Sequence, residues 1–147
     1  MKGIISIDQI DAFIFDFDGV LTNNLVHLDQ DGREWVSCSR SDGIAFDVLR
    51  VLKKPAYILS TEINPVVSAR AKKLKIPAIQ GVSDKVLAIK ELVDANNYNL
   101  DKILYVGNDV NDYLAMKIYG PISAIRKKEQ QSIPLSYRIT LIHLIRV

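Results

Sequence analysis

Short apolar runs that stop at Gly, Asp or Ser alternate along this chain with longer stretches of helical period. The runs Ala12–Phe15, Ala56–Leu59, Lys102–Val106 and Pro121–Ile125 read as strands, and 76–80 as a short extended piece. Leu25–Leu28 and Glu34–Cys38 flank Asp29-Gln30-Asp31-Gly32, where the Asp-Gly step marks a hairpin turn. Ser41 or Asp42 is placed to cap a helix with the apolar stripe Ile44, Phe46, Val48, Leu49, Val51 and Leu52. Asn64 and Pro65 suit the cap and first turn of a helix reaching about Lys75. Ser83 or Asp84 opens another, with Val86, Leu87, Ile89, Leu92 and Val93 inward. The last runs from about Val110 to Ile118 and stops at Gly120.

Strands that alternate with helices and are apolar on both faces belong to a parallel sheet covered on both sides. The expected fold is therefore α/β, a Rossmann-like three-layer sandwich with a mainly parallel sheet, plus a β-hairpin flap. The length of 147 residues fits one domain, 1–147. With 48% hydrophobic and 24% charged residues, the chain has globular rather than disordered or fibrous composition. No apolar run approaches the roughly 20 residues that span a bilayer, and no leader is expected. The single cysteine, Cys38, cannot close an internal disulfide, which suits a reducing cytoplasm. Arg126, Lys127, Lys128, Arg138 and Arg146 against Glu129 give residues 126–147 a balance of +4, so the overall +2 leaves −2 for residues 1–125. That body is no basic nucleic-acid surface. No nucleic-acid or membrane partner is expected.

In such folds, ligands bind beyond the carboxyl ends of the strands. Polar residues collect there: Asp16 and Asp18, then Ser60, Thr61 and Glu62, then Asn108 and Asp109 with Asp112 one helical turn later. Lys85 starts a helix between them. One carboxylate plus the backbone carbonyl two residues on, with Asp109 as a further hard oxygen, suits Mg²⁺. A hydroxyl and an ammonium are phosphate partners. Together these groups describe phosphoryl transfer through an aspartyl-phosphate.

The assembled pattern resembles the haloacid dehalogenase (HAD) superfamily of phosphatases. Asp16-Phe17-Asp18-Gly19-Val20-Leu21-Thr22 looks like its first motif, Ser60 the second, Lys85 the third and Gly107-Asn108-Asp109-Val110-Asn111-Asp112 the fourth. Arg40-Ser41-Asp42-Gly43, Ser68-Ala69-Arg70-Ala71 and Gln80-Gly81-Val82-Ser83-Asp84-Lys85 look like the small capless branch acting on sugar-acid phosphates. Octulosonate phosphatases of that branch carry Thr-Gly-Arg after the second strand. Ser60-Thr61-Glu62 is similar instead to the phosphatases of nonulosonate 9-phosphates, those of sialic acid or its deaminated analogue (KDN). The resemblance thus implies a nonulosonate 9-phosphate phosphatase, with 3-deoxy-manno-octulosonate (KDO) 8-phosphate as the alternative substrate.

The resemblance also implies the roles. Asp16 is the nucleophile and Asp18 the general acid and base. The Asp16 carboxylate, the Asp18 carbonyl and Asp109 ligate Mg²⁺. Ser60 and Lys85 hold the phosphoryl group. Asn108 and Asp112 support the metal shell or Lys85. Glu62, Arg70, Lys73 and Thr61 meet the sugar. A cytoplasmic homotetramer is implied, with the hairpin at an interface. The chain departs from the branch after Gly120, where a Gly-rich segment and short helix are expected and 126–147 reads differently. His143 in that tail reads as a packing or surface residue, and Trp35 as interface or core. A catalytically weak assembly partner and a receiver-like signalling domain are more remote alternatives.

Overall fold

Phe13 and Phe15 face one side of the strand β1 (Ala12–Phe15), and Ala12 and Ile14 the other, in this computed structural model, which describes residues 6–118 and 123–125. Two cores follow from that alternation. After β1 come the hairpin strands β2 (Thr22–Leu28) and β3 (Glu34–Cys38), then α1 (Ser41–Val51), β4 (Ala56–Leu59), α2 (Val66–Leu74) and β5 (Ala78–Ile79). The chain continues through α3 (Lys85–Asn96), β6 (Ile103–Gly107), α4 (Val110–Ile118) and β7 (Ser123–Ile125). The sheet has the order β5-β4-β1-β6-β7, and every pairing in it is parallel. Phe13 pairs with Ala56 on one side and with Leu104 on the other.

On one face Phe13, Phe15, Ile58 and Leu104 pack with Phe46 and Leu49 of α1 and with Val67, Ala71 and Leu74 of α2. On the other, Ile14, Leu59, Ile103 and Tyr105 pack with Ile89 and Val93 of α3 and with Ala115 and Met116 of α4. This is the three-layer sandwich the apolar runs imply. Phe15 is fully buried and meets Phe46 edge-on at 5.3 Å between ring centroids. Truncating such a side chain to alanine costs about 3–5 kcal/mol.

Helix faces differ in detail from the sequence stripes. Ile44, Val51 and Leu87 belong to the apolar stripes but are 62%, 81% and 53% exposed. The buried face of α1 is Ala45, Phe46 and Leu49, a narrower arc than the stripe of apolar residues on that helix. Neither Ser41 nor Asp42 caps α1. Ser39 Oγ instead accepts from the Ser41 N–H at 3.3 Å. Asp84 caps α3 as expected, accepting from Leu87 N at 3.0 Å, while Asn64 stands one residue before the N-cap of α2, Pro65, and accepts from Val66 N at 3.1 Å. Gly120, residues 121–122 and the tail 126–147, with His143, lie outside the described residues.

Between Asp18 and α1 there is only the hairpin, and between β4 and α3 only α2 and β5. No further domain interrupts the core there. The hairpin pairs His27 with Trp35, whose rings stack 5.8 Å apart. Among the described residues, no helix is long and apolar enough to cross a membrane.

Candidate active site

The carboxyl ends of β1, β4 and β6 bring three of the four expected motifs to one rim, and the N-terminus of α3 adds the fourth. β1 stops at Phe15, and Asp16 N–H donates to Val106 O at 2.9 Å, tying the next residue to β6. Phe17 is buried beneath the turn, and its carbonyl accepts from Leu21 N at 2.9 Å and Val20 N at 3.3 Å. Thr22 Oγ1, fully buried, accepts from Gly19 N at 3.0 Å and Asn24 N at 3.2 Å. These bonds fix the loop that carries both aspartates. Gly19 has φ +75°, and a Cβ there would collide with the Asn108 side chain.

Lys85 lies at the centre. It is 4% exposed, and its Nζ donates to Asp16 Oδ1 at 2.9 Å and to Asp112 Oδ1 at 2.6 Å. Asp112 is fully buried and accepts three more bonds, from Tyr105 Oη at 2.5 Å, Asn108 N at 2.9 Å and Asp109 N at 3.2 Å. Its loop folds back closely enough that a Cβ on Gly107 would lie 2.6 Å from the Asp112 side chain. A buried carboxylate is tolerated because each of its oxygens has donors. Asp112 therefore builds the fourth motif around itself and holds Lys85 against Asp16.

The local electrostatics divide the carboxylates. Burial pushes Asp16 up to about 6, against the opposing pull of Lys85. Burial also raises Asp18, and the negative charges of Glu62 and Glu34 add to it while Lys85 opposes. At Asp112, burial works upward, but the hydrogen bonds from Lys85 and Tyr105 outweigh it and leave the carboxyl below its ordinary value.

The Asn108 side-chain amide lies 3.3 Å from Asp16 Oδ2 and 2.7 Å from the Asp18 carbonyl oxygen; its nitrogen, turned in, donates to both, and its oxygen, turned in, would join them as a third hard ligand around a cation. The Asp16 and Asp18 oxygens face one point. Asp109 follows at the same rim, exposed, with Oδ1 accepting from Val110 N at 2.6 Å. Among the described residues, no three His, Cys, Asp or Glu side chains gather into a metal cluster. A site of one carboxylate, one backbone carbonyl and a nearby second carboxylate would not form such a cluster, and its all-oxygen chemistry fits Mg²⁺.

Ser60 is 1% exposed at the end of β4, and its Oγ accepts from Glu62 N at 3.1 Å. Thr61 is exposed on the rim. Glu62 Oε1 accepts from Ile63 N at 2.7 Å and Asn64 N at 2.8 Å. Arg70 points toward α1, where Nη2 donates to Ser39 O at 2.6 Å and meets Asp42 Oδ2 at 3.4 Å. Lys73 is exposed on α2. Sequence reasoning missed Tyr105, which it treats as one more apolar strand residue, and gave Thr22 no role. It also missed Glu34 and Asn64, whose side chains meet at 3.1 Å between the hairpin and the loop after β4.

No family model matches the chain. Among solved structures, one from Streptomyces avermitilis assigned to the HAD family of hydrolases is 42% identical, covers 84% of this chain and 70% of its own, and superposes with a TM-score of 0.80. The chain belongs to the HAD family of hydrolases. It is a phosphoric monoester hydrolase. The 3-deoxy-D-manno-octulosonate 8-phosphate phosphatase of Yersinia pestis is 26% identical over 135 residues, which span 91% of this chain and 72% of that protein. The corresponding phosphatase of Moraxella catarrhalis, solved with magnesium, phosphate and KDO, is 28% identical and covers 78% of this chain and 67% of its own, with a TM-score of 0.74.

Proposed function

We propose that this HAD hydrolase is a Mg²⁺-dependent phosphatase of a 3-deoxy-ulosonic acid phosphate, with 3-deoxy-manno-octulosonate 8-phosphate as its substrate. The observation that carries the chemistry is the buried Asp16–Lys85–Asp112 chain beside the Asp18 carbonyl. The substrate reading rests on the two relatives named octulosonate 8-phosphate phosphatases, those of Yersinia pestis and Moraxella catarrhalis.

The Asp16 carboxylate, the Asp18 carbonyl and Asp109 would hold Mg²⁺, which would supply charge to screen the repulsion between a carboxylate and a phosphate dianion. Lys85 holds Asp16 ionised and oriented, and with Ser60 it takes the transferring phosphoryl oxygens. An Asp16 oxygen bonds to phosphorus as the bond to the sugar oxygen breaks. Asp18, raised by burial and by Glu62, gives that oxygen its proton. Asp18 then takes a proton from water, which attacks the aspartyl-phosphate and frees phosphate and Asp16.

A nonulosonate 9-phosphate is the second reading, favoured by one feature, Thr61-Glu62 in place of the Gly-Arg pair after β4. The hairpin side chains Leu25, Val26, Leu28 and Trp35 are exposed, which supports assembly of copies through the hairpin, a homotetramer in the family's manner. Comparing kcat/KM for octulosonate 8-phosphate, nonulosonate 9-phosphates and an aryl phosphate, with Mg²⁺, tests the substrate. A tenfold preference, about 1.4 kcal/mol of transition-state discrimination, for the octulosonate is expected. The same preference for a nonulosonate would reverse the order of the two readings.

A further inference from the structure

Strand β3 is held at both ends by side chains from one segment, the loop and helix after β4. At its start, Asn64 Nδ2 donates to Glu34 Oε2 at 3.1 Å. Just past its end, Arg70 Nη2 donates to Ser39 O at 2.6 Å, and the same nitrogen pairs with Asp42 in the first turn of α1. Both Arg70 and Asp42 have side chains 12% exposed, so this contact is shielded from water, and a charge-assisted bond there is stronger than a surface one. The donors are themselves anchored. Asn64 Oδ1 accepts from Val66 N at 3.1 Å, Glu62 Oε1 accepts from Asn64 N at 2.8 Å, and Gln80 Nε2 donates to Ile63 O at 3.2 Å. The segment that carries Ser60 thus grips the hairpin, and nothing in this arrangement needs a second chain.

We propose that Asn64 and Arg70 are positioning residues that clamp β3, making the hairpin a fixed wall of the site rather than a mobile lid. A two-stranded ribbon with one buried residue in β2, and only Val36 and Cys38 of β3 partly buried against the core, has little core of its own to hold its position. The clamp supplies what its core lacks. A phosphate ester too small to touch the wall is indifferent to the clamp, whereas a sugar acid that leans on it is not. This inference rests on the sugar-acid reading only for its kinetic arm.

The test uses Asn64→Asp, Glu34→Gln and the double variant. Asn64→Asp keeps the bond from Val66 N, since both side chains present an oxygen acceptor, but sets a carboxylate opposite Glu34, a repulsion of the size that like charges on facing strands produce. Adding Glu34→Gln to Asn64→Asp restores a donor facing an acceptor. Trp35, the chain's one tryptophan, neighbours the clamp and reports on the hairpin, read on variants whose oligomeric state, measured alongside, matches wild type. Asn64→Asp is expected to raise acrylamide quenching of Trp35 and to raise KM for the sugar-acid phosphate about threefold. Its kcat/KM for an aryl phosphate stays the same, and the double variant returns both signals to wild type. Arg70→Met is expected to raise the quenching as well, so the test does not depend on Asn64→Asp folding. Quenching unchanged in Asn64→Asp and Arg70→Met, or a double variant that restores nothing, overturns the clamp. If wild type turns over aryl phosphate but no sugar-acid phosphate, the substrate reading fails, and the Trp35 signal still decides the clamp.

Discussion

The Lys85 ammonium stands 2.6 Å from Asp112 Oδ1, a carboxylate with no exposed surface, and the same nitrogen reaches Asp16. Breaking a buried pair by removing one charge costs about 3–5 kcal/mol, because the partner stays buried and uncompensated. Asp112→Asn is therefore expected to lower stability, by less than that amount because Asp16 still partners Lys85, and to cut kcat, since Lys85 is no longer aligned on Asp16. Denaturant unfolding and steady-state kinetics of the variant measure the two effects.

Tyr105 Oη donates to the same carboxylate at 2.5 Å. Tyr105→Phe removes one bond to a charged acceptor and leaves the ring in the core. The expected cost is about 1.5–3 kcal/mol of stability, with much smaller loss of kcat than Asp112→Asn shows. Equal losses of kcat in both variants would assign Tyr105 a part in the chemistry.

Acid affects the two aspartates in opposite senses. Asp112 is held below its ordinary value in the fold, so its contribution to stability is present above the unfolded value of 3.8 and is lost as pH falls through the lower folded value. Asp16 is raised from 3.8 to about 6 without metal, so its contribution is present below 3.8 and is lost as pH rises through about 6. Cation binding to Asp16 must displace that proton. The apparent affinity of metal-free protein for Mg²⁺ is expected to rise with pH up to about 6 and to level off above it. Calorimetric titrations from about one unit below that value to one unit above it check this, and an affinity that is flat across that window would contradict it.

Much of this was legible in the chain. Apolar runs ending in Asp16, Ser60 and Gly107-Asn108-Asp109 located the sheet's carboxyl rim, because strands buried on both faces leave only their ends for polar groups. What was not legible depends on reach and facing. Tyr105 is an ordinary member of an apolar run until the fold turns its hydroxyl onto Asp112. Arg70 sits where a sugar-binding charge was expected, yet its guanidinium turns back to Ser39, just before α1, and to Asp42 in its first turn, a long-range contact that no local spacing encodes. Ile44, Val51 and Leu87 satisfy a helical stripe drawn by hydrophobicity alone, but the sheet covers a narrower arc.

Gly19 has φ +75°, and its missing Cβ makes room for Asn108. Gly19→Ala forces a left-handed alanine, at about 1–2 kcal/mol, and pushes Asn108 away from the Asp16 and Asp18 oxygens. Mg²⁺ affinity and kcat are both expected to fall by at least roughly tenfold, the equivalent of about 1.4 kcal/mol, measured on protein that still melts cooperatively. Wild-type Mg²⁺ affinity in this variant would show that Asn108 does not shape the cation site.

In the proposed reaction Asp16 carries the phosphoryl group during turnover. Rapid acid quench during turnover of octulosonate 8-phosphate with Mg²⁺, followed by peptide mass spectrometry, reads this directly. The predicted result is the mass of one phosphoryl group on the peptide containing Asp16 and its absence in Asp16→Asn, which folds but does not turn over. Unmodified Asp16 with steady-state turnover, or hydrolysis retained in Asp16→Asn, would contradict that role.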